Sequence, residues 1–146
     1  MAYKGRYRPS KPEKYKGDPT NIIYRSLLER RFMVYCDTHD SILEWNSEEV
    51  VVPYKSPIDN RYHRYFVDFW IRYKSADGTI RASLIEVKPY SQTQEPKKHV
   101  GSNKPIRRYL NEIMTWGVNQ AKWKAAREYC LDRKWEFKIL TEKQLT

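Results

Sequence analysis

Leu84-Ile85-Glu86-Val87-Lys88 is an apolar run of strand type interrupted by two opposite charges. Side chains alternate sides along a strand, so Leu84, Glu86 and Lys88 share one face and Ile85 and Val87 the other. Charges in such a run need partners, because an unpaired buried charge is expensive. Two arrangements satisfy them: a salt bridge between the two on one face, or a metal ion for the carboxylate and a phosphate for the ammonium.

Upstream, two more strand-like runs precede the one from Thr79 to Lys88. Glu48 to Tyr54 carries Val50-Val51-Val52, and Tyr62 to Tyr73 alternates, with Tyr65, Val67, Phe69, Ile71 and Tyr73 on one face. Its other face holds Arg64, Phe66, Asp68, Trp70 and Arg72. Pro57-Ile58-Asp59-Asn60 and Ala76-Asp77-Gly78 have turn chemistry, so the three runs predict an antiparallel meander. Asp68 then lies mid-strand, although aspartate is a poor strand former. With its carboxylate ~5 Å from that of Glu86 and an effective dielectric of ~20, the pair would repel by about 3 kcal/mol. Lys88 offsets part of that, and a hard divalent cation with its preference for oxygen ligands offsets far more. A solvated Asp68 at a sheet edge is the plainer alternative.

Downstream, Pro105 to about Arg133 reads as a helix. Ile106, Tyr109, Leu110 and Ile113 give it an apolar face that Trp116, Trp123 and Cys130 continue past a candidate kink at Gly117. Trp135 to Leu140 alternates as a last strand. A strand, a crossover helix and a strand imply a parallel pair. At the other end, Asp18-Pro19 is a helix-start signal followed by periodic Ile23, Leu27, Leu28, Phe32 and Tyr35. That places Ser26 and Glu29 inside a helix from Thr20 to Cys36, as neighbours three apart. A capping box at Ser26, or Glu29 paired with a nearby arginine, are the competing readings.

The 146 residues favour one core, and 14% aromatic content supplies large burial per residue. A net charge of +10 with 12 Tyr and 5 Trp suggests nucleic acid, or else a basic protein with an aromatic core. The charge is concentrated in two segments. Residues 1–18 set six basic residues against two acidic ones, and residues 89–108 set five against one. Both segments are proline-bearing and aperiodic over most of their length. The domain division expected is a flexible basic arm, residues 1–18, and one domain, residues 19–146. Lys4, Arg6 and Arg8 in the arm, and Lys97, Lys98, Lys104, Arg107 and Arg108 in the second segment, are the candidate phosphate contacts. Cys36 and Cys130 lack zinc-ligand spacing and read as free buried thiols. No run approaches the ~20 apolar residues of a membrane helix, and no signal-peptide pattern opens the chain.

A helix glutamate, then Asp68, then Glu86-Val87-Lys88 on the following strand resembles the PD-(D/E)XK nucleases of restriction-endonuclease-like fold, although Val67 stands where the family's name has proline. Across nearly the whole chain, Gly17-Asp18-Pro19, Tyr24-Arg25-Ser26, Leu43-Glu44-Trp45-Asn46-Ser47-Glu48-Glu49-Val50, Asp68-Phe69-Trp70 and Glu86-Val87-Lys88-Pro89 are similar to the head completion nucleases of T-even-type tailed phages. The Ser26-x-x-Glu29 helix with the later acids and lysine is also similar to transposon end-cutting endonucleases of that fold. The resemblance implies an α/β (α+β) domain with an αβββαβ core and a mixed central sheet flanked by helices. It implies Mg²⁺ (or Mn²⁺) held by Asp68 and Glu86, Lys88 as catalytic lysine, and Glu29 as helix acid, with Ser26, or one of Asn119, Gln120 and Lys122 on the later helix, in support. The substrate implied is double-stranded DNA, cut around the end of head filling, in the phage head and the host cytoplasm. Head, portal or neck proteins are the implied partners. A non-catalytic basic head-completion protein at the portal, or a junction or repair nuclease of the same fold, are the alternatives.

Overall fold

The computed structural model describes residues 3–97 and 105–145. Among these, the order is β1 (Gly5–Tyr7), β2 (Ile22–Tyr24), α1 (Leu27–Thr38), β3 (Ile42–Ser47), β4 (Val51–Lys55), β5 (Tyr62–Phe66), β6 (Phe69–Lys74), β7 (Ile80–Val87), α2 (Ile106–Arg133), β8 (Glu136–Leu140) and α3 (Glu142–Leu145). The central sheet runs β3-β6-β7-β8. β3, β6 and β7 are antiparallel neighbours, and β8 lies parallel to β7 after the α2 crossover. The mixed sheet with flanking helices is thus the architecture read from the sequence.

The alternation along β7 distributes its side chains as expected. Ile85 and Val87 join a core with Phe32, Met33 and Cys36 of α1, around the fully buried Trp45. Leu84 faces the opposite core, with Trp123, Ala126 and Cys130 of α2. Each such fully buried side chain contributes roughly 1.5–3 kcal/mol of hydrophobic stabilisation. The two free cysteines lie one in each core, both buried.

Four expectations need correction. The first concerns the strands. The run from Tyr62 to Tyr73 is two strands, broken at Val67-Asp68, and the strand beside β6 is Ile42–Ser47. β4 and β5 pair with each other as a separate two-stranded ribbon. The ribbon stays tied to the sheet through Glu48 N–H to the Asp68 carbonyl and Val67 N–H to the Val50 carbonyl, 3.1 Å each. Between Ser47↔Phe69 and Val51↔Phe66, three residues (Glu48, Glu49, Val50) oppose two (Val67, Asp68). That is a β-bulge, with Glu48 in the left-handed region at φ 58°. Asp68 therefore occupies a kink, where its poor strand propensity costs little.

Second, α1 begins at Leu27, with Ser26 extended as its N-cap and its hydroxyl accepting from Glu29 N–H at 3.1 Å. Ser26 thus takes the N-cap half of the capping-box reading, and its hydroxyl in turn donates to the Glu29 carboxylate at 3.2 Å. Asp18 spends its carboxylate on Thr20 N–H and hydroxyl at 2.9 and 2.6 Å, and Ile22–Tyr24, rich in β-formers, pairs with β1.

Third, residues 3–18 are not a free arm. Gly5–Tyr7 is a strand, Tyr7 and Tyr15 are buried against Trp45, and Asp37 of α1 gathers the segment. Asp37 accepts from the Tyr7 hydroxyl at 2.7 Å, Ser10 N–H at 2.7 Å, the Ser10 hydroxyl at 3.0 Å and Lys11 N–H at 2.9 Å. Lys16 pairs with Glu44 at 2.6 Å. The segment's tyrosines carry apolar burial that a count of charges and prolines hides.

Fourth, the first apolar stripe of α2 is not core. Ile106, Leu110 and Ile113 are exposed, whereas Asn119, Trp123, Ala126 and Cys130 are buried. Only the second half of this 28-residue helix lies over the sheet. No helix of the described residues is long and apolar enough to cross a membrane.

Candidate active site

Glu86 lies one residue from the end of β7, buried on the side of the sheet that faces α2. Its Oε2 accepts from the Trp123 indole N–H at 3.3 Å. Asp68, set in the kink between β5 and β6, accepts the Val87 N–H on Oδ2 at 2.8 Å. That backbone bond brings Asp68 against Glu86, as the two adjacent strands demand. Burial and then the Glu86 charge push the Asp68 carboxyl well above its ordinary value; the Val87 N–H pulls it down, and the hydrogen bond it makes to Glu86 and the more distant Glu29 charge add to the rise. Two carboxylates thus share a poorly solvated place in which both ionise only at a cost.

Among the described residues no ion pair joins Glu86 to Lys88. The same-face salt bridge is therefore not how this strand satisfies its charges: Glu86 turns to Trp123. Lys88 is half-buried just past the strand end, with its N–H held by the Leu140 carbonyl at 3.0 Å. Glu29 stands in the first turn of α1, held at Oε2 by the Ser26 hydroxyl at 3.2 Å. Burial raises its carboxyl and the Ser26 bond lowers it, with a net rise. Its charge reaches Asp68, but no three of the described His, Cys, Asp and Glu side chains gather closely enough to hold an ion by themselves. The donor set is therefore the Asp68–Glu86 pair, in which the Val87 N–H holds Asp68 Oδ2 and the Trp123 N–H holds Glu86 Oε2. Oxygen donors of this kind fit a hard divalent cation that keeps water and takes a phosphate oxygen.

Sequence reasoning missed three contributors. Trp123 was read as core only. Tyr65 is buried beside the pair, and burial followed by the Glu86 and Asp68 charges raises its phenol strongly. Arg25 clasps Glu48 in the bulge through two bonds of 2.8 and 3.1 Å. An indole at helical spacing beside a sheet glutamate was the available signal for Trp123; nothing local marks Tyr65. Of the helix candidates, Lys122 lies over the Tyr54 and Tyr65 rings at 5.7 and 5.5 Å, one residue before Trp123. Asn119 is buried and Gln120 half-buried, one turn or less before it.

The expected phosphate contacts divide. Lys97, Arg107 and Arg108 line one cleft between residues 91–97 and the first half of α2, with Trp116 and Asn119 also on its wall. Trp116 packs edge-on against Trp123, so the cleft runs toward Glu86. Arg6 and Arg8 instead line a small hollow with Tyr7 and Pro19. Lys4 is exposed before β1, and Lys98 and Lys104 lie outside the described residues.

A carboxylate pair at the kinked end of the two central strands of a four-stranded mixed sheet, followed by a lysine two residues on, defines a class. Residues 39–142 match the family described as TnsA-like endonuclease N terminal, and the chain belongs to that family. The match contains Asp68, Glu86 and Lys88 and leaves Glu29 ahead of it. More particularly, the chain is similar to the head completion nuclease of Enterobacteria phage T4, with 40% identity over 97% of this chain and 93% of that protein.

Proposed function

We propose that this chain is a phage head completion endonuclease that hydrolyses phosphodiester bonds of packaged double-stranded DNA with the help of a divalent cation. The observation that carries the reading is the Asp68–Glu86 pair: a half-buried and a buried carboxylate set against each other on adjacent strands, Asp68 holding the Val87 N–H and Glu86 the Trp123 N–H, with Lys88 two residues past Glu86. Membership of an endonuclease family and likeness to a head completion nuclease support the same reaction and the same setting.

Asp68 and Glu86 would hold Mg²⁺ or Mn²⁺. Such an ion, when bound, lowers the pKa of a water and neutralises charge on the phosphate. Lys88 orients the attacking water and faces the charge that builds on the non-bridging oxygens as the phosphorus–oxygen bond to the leaving sugar breaks. Trp123 fixes the Glu86 carboxylate so that its other oxygen keeps one direction. Glu29 adds negative potential at Asp68 and would position water from the α1 cap. Lys97, Arg107 and Arg108 carry flanking phosphates along the cleft. The cut prepares packaged ends for joining of the neck and tail, with head, portal or neck proteins as partners, in the host cytoplasm and the assembling virion.

The test is nicking of supercoiled plasmid by the purified chain in Mg²⁺ or Mn²⁺, and its loss in chelator. Asp68→Ala and Lys88→Ala are expected to abolish nicking with melting temperature preserved. Nicking that survives both substitutions would dismiss this site. A flat response of DNA binding to salt would dismiss the cleft cations, since released counterions make such binding fall steeply with salt.

A further inference from the structure

The β4–β5 ribbon has two faces of different chemistry. Val52, Tyr54 and Tyr65 point inward, buried against α2. The outward face is set by register: Val51↔Phe66, Pro53↔Arg64, Lys55↔Tyr62. Tyr62 is 74% exposed and Phe66 47%. The Arg64 guanidinium lies over the Phe66 ring at 5.7 Å. This face carries two cations and no acid; Asp59, in the turn, is occupied by His63 at 2.7 Å and by Arg61 N–H at 3.0 Å. The side chains named as phosphate contacts above lie elsewhere, and no packing among the described residues accounts for two large aromatic rings held in water.

The ribbon also leads into the catalytic kink. Phe66 is two residues from Asp68 and Tyr62 six, so at ~3.3 Å per residue the face begins about 7 Å from Asp68 and reaches about 20 Å away. A DNA strand leaving the reacting phosphate along the ribbon and turning round its rim meets it. Exposed ring faces flanked by cations match unpaired nucleotides. Bases stack on aromatic rings only when released from the duplex, where their faces are covered, while lysine and arginine take the phosphates. A duplex offers this surface phosphates alone, and leaves the rings unused.

We infer that the outward face of the β4–β5 ribbon, through Tyr62, Phe66, Arg64 and Lys55, binds an unpaired DNA strand next to the scissile phosphate, so that the preferred substrate is a DNA end or junction with a single-stranded extension. The nuclease function proposed above supplies the ligand class. The binding itself is separable from cleavage.

The experiment measures affinity of the full chain in chelator, by fluorescence anisotropy, for a blunt duplex and for the same duplex with a short oligothymidine tail. Unsubstituted protein should bind the tailed duplex more tightly. Tyr62→Ala/Phe66→Ala should weaken the tailed complex by about tenfold or more and the blunt complex by less than about twofold, the scale expected of lost base stacking. Equal weakening on both ligands, or none on either, overturns the inference. A second measurement needs no variant: a bromodeoxyuridine tail irradiated on the unsubstituted protein should crosslink to the peptide bearing Tyr62 and Phe66, and crosslinks found only on the cleft residues overturn it as well. Metal-dependent nicking without ribbon-dependent tail binding sinks this inference alone; tail binding without nicking sinks the nuclease function alone.

Discussion

Asp37 and Asp68 are two aspartates shielded from water, and the chain treats them in opposite ways. Burial raises the Asp37 carboxyl, but the bonds from Ser10 N–H, the Tyr7 hydroxyl, Lys11 N–H and the Ser10 hydroxyl outweigh it and hold it below its usual value. Asp68 has one backbone N–H and a second carboxylate, and is pushed up. The first charge is fully answered from within the chain, and its product is structure: the amino-terminal segment stays docked. The second is answered only in part, and the function proposed above assigns the rest to a divalent cation. A buried charge answered by several donors marks architecture, and one left facing another of the same sign marks chemistry.

The sharpest way to break that contrast is to neutralise both carboxylates. Asp68→Asn keeps an oxygen for the Val87 N–H but removes the charge facing Glu86. Cleavage should fall by about 10³-fold or more, since metal binding and charge stabilisation go together. The metal-free protein should melt higher, by roughly 2–6 °C, as ~1 kcal/mol or more of repulsion is relieved. Lys88→Ala should match the loss of cleavage without the gain in melting temperature. A metal-free Asp68→Asn protein that melts lower would show that Asp68 is a structural charge like Asp37.

Asp37→Ala should do the reverse, costing about 3 kcal/mol because the donors of a buried carboxylate are left unpaired. Limited proteolysis should then cut within residues 3–18, while the folded fraction keeps its plasmid-nicking rate. The pH dependence follows from the sign of the shift. A carboxyl whose folded value lies below its unfolded value of about 3.9 stabilises the fold above that pH, and the contribution is lost as pH falls through the folded value. Acid melts followed by tryptophan fluorescence should show the stability gap between unsubstituted protein and Asp37→Asn closing below about pH 4.

How much of this was legible depended on whether a signal is local. The alternation of Leu84 to Val87 and the parallel β7–β8 pair follow from patterns within single segments, and the structure has them. The bulge at Glu48–Glu49 does not: it exists because two strands of unequal count are paired, which neither strand records. For the same reason Asp68 read as mid-strand. Tyr7 and Tyr15 looked like part of a solvated arm because their partners, Asp37 and Trp45, lie some thirty residues on. The Pro105–Ile113 stripe has flawless helical spacing, yet periodicity cannot say how far the sheet beneath a helix extends.

A smaller effect sharpens the picture at Glu86. Trp123→Phe keeps the ring in its core and removes the N–H that holds Oε2. Supporting bonds to a metal-binding carboxylate are typically worth 10–100-fold in metal affinity or activity. The expectation is a loss of about tenfold in nicking, recovered partly at high Mn²⁺, with melting temperature changed little. A loss that added metal leaves untouched would assign Trp123 to packing alone.

The smallest effect expected is at Ser26, and it separates two roles of one hydroxyl. Ser26→Ala removes the cap on Glu29 N–H, worth about 1 kcal/mol, and the bond to the Glu29 carboxylate at 3.2 Å. Ser26→Thr preserves both groups, while Ser26→Gly removes the hydroxyl at a cap position that tolerates glycine with a penalty of only a few tenths of a kcal/mol. Stability should therefore rank serine and threonine first, glycine close behind and alanine last. Cleavage should instead place alanine and glycine together, below serine and threonine, if the hydroxyl serves Glu29 as well as the helix. Rates that follow the stability ranking would reduce Ser26 to a cap, and leave Glu29 held only by its place on α1.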